Sequence, residues 1–111
     1  MFDNPNRQDP VVYEKDGDVL YIRLPVEFDH FASRNMKVET EALVTAAEIR
    51  NVVFDFTRTE FMDSTGIGIL MGRYKYMKYI GGNVYVWHVC PHIRKMLDVS
   101  GISKLITELE G

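Results

Sequence analysis

Val52 to Gly72 reads V-V-F-D-F-T-R-T-E-F-M-D-S-T-G-I-G-I-L-M-G, a strand, a loop and the opening of a helix in one stretch. Residues 51–56, Asn-Val-Val-Phe-Asp-Phe, are a short apolar run rich in β-branched and aromatic residues, the pattern of a buried strand. From Ser64 to Ile80 the period changes. Ile67, Leu70, Met71, Tyr74 and Met77 recur at helical spacing and predict one apolar face on a long helix. A strand feeding a helix through a loop is the unit from which α/β folds are assembled.

The junction is Asp63-Ser64-Thr65-Gly66. Asp63 or Ser64 can cap the helix, because a side-chain oxygen there accepts a backbone N–H of the first turn. Those N–H groups and the helix dipole favour negative charge, so a phosphate on Ser64 is expected to be tolerated by the helix itself. Gly66 and Gly68 leave the first turn nearly bare, open to close approach by another protein. Each costs about 1 kcal/mol against alanine in a helix, which asks for a reason beyond folding. Taken alone, however, D-S-T-G is an ordinary helix start.

Upstream, Val11–Tyr13 and Val19–Ile22 are strands around the turn Glu14–Asp18, which contains Asp16-Gly17. Pro25 stops the second strand. A helix is expected from about Ala32 to Ala47, with Met36, Leu43 and Ala47 on one side together with Ala32, Glu39 and Thr40. Downstream, Gly81-Gly82 ends the long helix and Val84–Trp87 is a strand. Pro91 opens a last helix carrying Ile93, Met96 and Leu97, and Gly101 closes it. A short strand or helix is expected near Lys104–Leu109. The order ββ-α-β-α-β-α implies a mixed sheet, parallel wherever a helix joins neighbouring strands.

The chain has 111 residues, one domain's worth, of which 46% are hydrophobic and 26% charged, enough for a packed core. A net charge of -3 argues against direct nucleic-acid binding, which draws its affinity from clustered Lys and Arg. The single cysteine, Cys90, excludes an intrachain disulfide. Residues 1–10 are polar and read as a flexible arm or short capping segment before a domain over residues 11–111; they lack the pattern of a signal peptide. No apolar run approaches the ~20 residues that span a bilayer. The expectation is a cytoplasmic protein with no membrane attachment, a monomer or weak dimer.

From Val52 to Ile106 the chain resembles the anti-sigma-factor antagonists, single-domain members of the STAS fold. F-M-D-S-T-G-I-G-I-L-M-G-R-Y-K matches their phosphorylation-site pattern, and Gly81-Gly82, the strand ending before Pro91, and L-D-V-S-G-I at Leu97 to Ile102 follow in order. Upstream, Glu27-Phe28-Asp29-His30 looks like the family's segment before its first helix, so the resemblance covers about residues 11–107. It implies a four- to five-stranded mixed sheet with helices mainly on one face. It also implies a partner switch, with no enzymatic activity or cofactor of its own. The unmodified antagonist binds an anti-sigma factor that is also a serine kinase, and a sigma factor is freed. The kinase, using its own ATP and magnesium, phosphorylates the serine and lets go; a serine phosphatase resets the system. On this chain the acceptor is Ser64, and Asp29, His30, Asp63, Thr65, Gly66, Ile67 and Gly68 line the partner surface. Thr65 stands where a second serine is common, a neighbouring hydroxyl.

Four rival readings stand beside this one. The string F-M-D-S-T-G is similar to the aspartic-protease signature, but an extra residue separates Asp63 from Gly66 and a helix follows. A nucleotide-binding turn would need G-x-x-x-x-G-K-[ST], or a third glycine and an acidic ribose partner. His88, Cys90 and His92 invite a metal reading but straddle a strand end and a proline turn, with no fourth ligand evident. The last rival is a STAS scaffold in a stress-signalling complex that does not act directly on a sigma factor. On the long helix, Tyr74 is expected in the core, with Tyr76 and Tyr79 on a solvated face.

Overall fold

The computed structural model describes residues 10–110, so the expected arm lies, but for Pro10, outside the described residues. The first hairpin joins β1 (Val12–Asp16) to β2 (Val19–Arg23). Asp16 pairs with Val19, which leaves only Gly17 and Asp18 to reverse the chain. Gly17 sits at φ +62°, the left-handed conformation that such a two-residue turn demands. The strands are thus longer, and the turn tighter, than the sequence pattern suggested.

Next come β3 (Glu27–Phe28), α1 (His30–Ser33), α2 (Met36–Ala46), β4 (Asn51–Asp55) and β5 (Phe61–Met62). The chain continues through α3 (Ser64–Tyr79), β6 (Asn83–Trp87), α4 (Pro91–Ser100), a 3₁₀ turn at Ile102–Lys104 and β7 (Thr107–Leu109). The helix expected over 32–47 is two helices. Asp29 starts the first early by accepting the Ala32 N–H at 3.0 Å, and Asn35, with φ -105° and ψ 2°, interrupts the run before α2. On α2 the buried residues are Met36, Thr40 and Val44, with Leu43 and Ala47 only partly covered.

The main sheet has the order β1-β2-β4-β6-β7; β1 is antiparallel and every other pairing parallel. Strands joined by helices are added in one direction without reversal. Crossovers share one hand, so their helices gather on the same face. Leu20, Ile22, Val52, Phe54, Val84 and Val86 alternate toward that face and are buried beneath the helices. On the other face Tyr21, Tyr85 and Trp87 stay partly exposed and shield Val53, which pairs between the two tyrosines.

The long helix turns a slightly different face inward than its apolar period indicated. Gly66, Leu70, Arg73 and Met77 are buried, while Ile67, Met71 and Tyr74 are half-buried at the margin. Arg73 is buried at 4% exposure because Glu41 of α2 lies 2.9 Å from its guanidinium. A buried arginine needs such a partner. Tyr74 is therefore marginal rather than core; Tyr76 is also half-buried, and Tyr79 is fully outward.

Candidate functional site

Two loops that leave the carboxyl ends of β2 and β4 meet in a second, two-residue-wide parallel pairing. Glu27 pairs with Phe61 and Phe28 with Met62. Around it, the N–H groups of Glu60 and Phe61 donate to the Val26 carbonyl, and the Thr59 hydroxyl donates to the Pro25 carbonyl at 2.9 Å. Phe28 and Met62 both point inward and are buried. The pairing therefore fixes the Asp29-His30 segment beside Asp63-Ser64, although 33 residues separate His30 from Asp63 in the chain.

The second loop is anchored from below by Asp55. Its carboxylate accepts the N–H and the hydroxyl of Thr57 and lies 3.4 Å from the Arg23 Nε. Burial opposes its charge, but the Thr57 donors, Arg23 and the nearby His88 outweigh that, and its pKa lies below the ordinary carboxylate value. The spacing Asp-x-Thr is a recognisable turn pattern, and was the one signal in the sequence for this role.

Asp63 is the cap of α3. With φ -106° and ψ -173°, it presents Oδ1 to the N–H groups of Thr65 at 2.9 Å and Gly66 at 3.2 Å. Its own N–H donates to the Phe28 carbonyl at 3.4 Å. Thus three of the first four donors of the helix are already engaged. The helix start therefore has fewer free N–H groups to offer a phosphate on Ser64 than the sequence pattern suggested. Ser64 is exposed as the first residue of α3, whereas Thr65 is half-buried.

The two glycines separate in role. A Cβ on Gly66 would lie 2.6 Å from Met62 Cγ and 2.9 Å from the Phe28 carbonyl oxygen. Gly66 is buried and serves the packing of α3 on the β3–β5 pairing, which corrects its reading as a bare contact for another protein. Gly68 is exposed, with nothing within 4 Å of the place a Cβ would occupy. Ile67 is half-buried between them. Asp29, His30, Asp63, Thr65, Ile67 and Gly68 therefore share one surface around Ser64.

Two aromatic side chains that the sequence pattern did not single out are exposed on the segments that carry the site, one next to His30 and one next to Met62. Phe31 is 53% exposed, with the Arg34 guanidinium 4.5 Å from its ring centre, and Phe61 is 47% exposed. Nothing in an isolated sequence tells an outward phenylalanine from a buried one.

Among the described residues, no group of three or more His, Cys, Asp and Glu side chains is placed to hold a metal ion. His88 stacks on Trp87 at 4.1 Å between ring centres, and Cys90 precedes α4. The strand order contains no reversal, so the sheet lacks the crevice where open α/β folds bind nucleotides. No described helix is long and apolar enough to cross a membrane.

A family model described as the STAS domain matches residues 10–110. The anti-sigma F factor antagonist of Paenibacillus polymyxa is 33% identical over 88 residues, which cover 79% of this chain and 75% of that protein. The anti-sigma-B factor antagonist of Listeria monocytogenes is 25% identical over 97 residues, 86% of this chain and 82% of that protein. The structure of the anti-sigma factor antagonist SpoIIAA in its unphosphorylated form aligns with a TM-score of 0.75 at 22% identity, over 91% of this chain and 88% of that one. Bacillus SpoIIAA in the phosphorylated form aligns at 0.73 and 24% identity, over 90% and 91%. The chain belongs to the STAS-domain family, among the anti-sigma factor antagonists.

Proposed function

We propose that this antagonist works as a partner switch with Ser64 as its phosphoacceptor. Unmodified, the surface around Ser64 binds an anti-sigma factor that is also a serine kinase, and a sigma factor is released. ATP and magnesium belong to that kinase, a serine phosphatase restores the antagonist, and the exchange takes place in the cytoplasm. Asp29, His30, Asp63, Thr65, Ile67 and Gly68 form the contact surface, with Gly66 shaping it from within.

The observation that carries this reading is the outward position of Ser64 on a helix start whose donors Asp63 already occupies. A phosphate there adds about -1.5 to -2 charges beside the Asp63 carboxylate, with few free N–H groups of its own helix to absorb them. The charge falls on the partner instead, as repulsion and desolvation cost at the interface. Thr65, half-buried one residue further on, presents the less accessible hydroxyl. The likeness of this fold to both forms of SpoIIAA, at TM-scores of 0.75 and 0.73, supports a switch that needs no refolding.

Incubation with the cognate kinase and ATP tests the acceptor. Intact-mass measurement is expected to show one added phosphate on the wild type and none on Ser64→Ala. Undiminished modification of that variant would overturn the assignment.

A further inference from the structure

The Asp63 carboxylate serves two helices at once. Oδ1 caps α3 through Thr65 and Gly66, while Oδ2 accepts the N–H of His30, the first residue of α1, at 3.3 Å. Two later donors of α1 are satisfied locally: Ala32 N–H goes to Asp29 Oδ1 at 3.0 Å and Ser33 N–H to the Asp29 carbonyl at 3.0 Å. The His30 N–H instead reaches across to the α3 side. One oxygen of the residue preceding Ser64 therefore ties together the two segments of the proposed contact surface.

We infer that Asp63 is a positioning residue, and that phosphorylation acts through it as well as directly on the partner. The inference rests on the function proposed above. In the unmodified protein, Oδ2 holds His30 and the start of α1 in the arrangement that the partner meets. A phosphate on the adjacent Ser64 places a second, more highly charged acceptor next to that carboxylate. It competes for the His30 N–H and repels the oxygen that now holds it. The α3 cap, made through Oδ1 to two N–H groups of its own helix, is retained. Phosphorylation thus loosens the start of α1 and leaves α3 in place.

The variant Asp63→Asn separates the two duties. Asparagine caps helices as well as aspartate, so its oxygen keeps Thr65 and Gly66. Its amide nitrogen is a donor and cannot accept the His30 N–H. Asp63→Ser, a second good cap without the second oxygen, guards against a folding defect peculiar to one variant. Amide hydrogen exchange followed by NMR on the free protein is the first readout. In both variants, and in Ser64-phosphorylated wild type, His30 exchange is expected to quicken severalfold while Thr65 and Gly66 exchange stays near the wild-type rate. The second readout is kinase affinity, expected to fall about tenfold in Asp63→Asn, the scale of one lost charge-assisted hydrogen bond.

Unchanged His30 exchange in both variants and in the phosphorylated protein would overturn the inference. So would quickened exchange at His30 and Thr65 alike, which would mean a lost cap rather than a lost tie. Failure of the underlying function reads differently: the wild type would form no kinase complex and Ser64 would gain no phosphate.

Discussion

Gly66 and Gly68 stand two residues apart on α3, and only the first is filled in by its surroundings. A methyl group on Gly66 would press on Met62 Cγ and on the Phe28 carbonyl, and a backbone oxygen cannot step aside as a side chain does. Gly66→Ala is therefore expected to destabilise the fold by about 1–3 kcal/mol, the range for overpacking a tight site. Gly68→Ala meets open space and removes a helix-breaking residue, so it is expected to gain up to about 1 kcal/mol. Urea denaturation of the two variants checks this, and equal effects would contradict the division of roles. The sequence marked both glycines as costly for a helix. It held no sign that one faces Phe28, because that contact depends on the pairing of two dipeptides from distant loops. Asp63 was legible as a cap; its second bond, to His30, was not, for the same reason.

At the scale of elements, β4 and α3 were readable because each carries a long period of its own. The β3–β5 pairing was not readable, since two residues hold no period and the pairing is specified by tertiary contacts. The split between α1 and α2 is local, set by the Asp29 cap and the break at Asn35, whereas the inward turn of Arg73 comes from a partner elsewhere, Glu41. The loop from β4 to β5 has its own pH signature. The Asp55 pKa is lowered in the folded protein from its ordinary 3.8, so its ionised form stabilises the fold. That contribution is complete above the ordinary value and is lost as the pH falls through the lowered one. Asp55→Asn, which cannot lose a charge, is expected to melt lower than the wild type near neutrality, with the gap narrowing below about pH 4. A gap that stayed constant down to strongly acid pH would contradict the role given to Asp55.

For the molecule as a whole, a sheet extended in one direction places its helices on one face and collects its loops at the carboxyl edge. The switch surface lies in those loops, on a framework closed by Phe28, Met62 and Gly66. Phe31 and Phe61 are outward aromatics on the same two loops, of the kind that anchor interfaces. Such a framework lets one added phosphate change what binds without changing the fold. The most direct test is calorimetric titration of the cognate kinase into unmodified and Ser64-phosphorylated protein, with thermal melts of both forms alongside. The account predicts a loss of affinity of at least about tenfold on phosphorylation, with closely similar melting temperatures. Equal affinity of the two forms would contradict it.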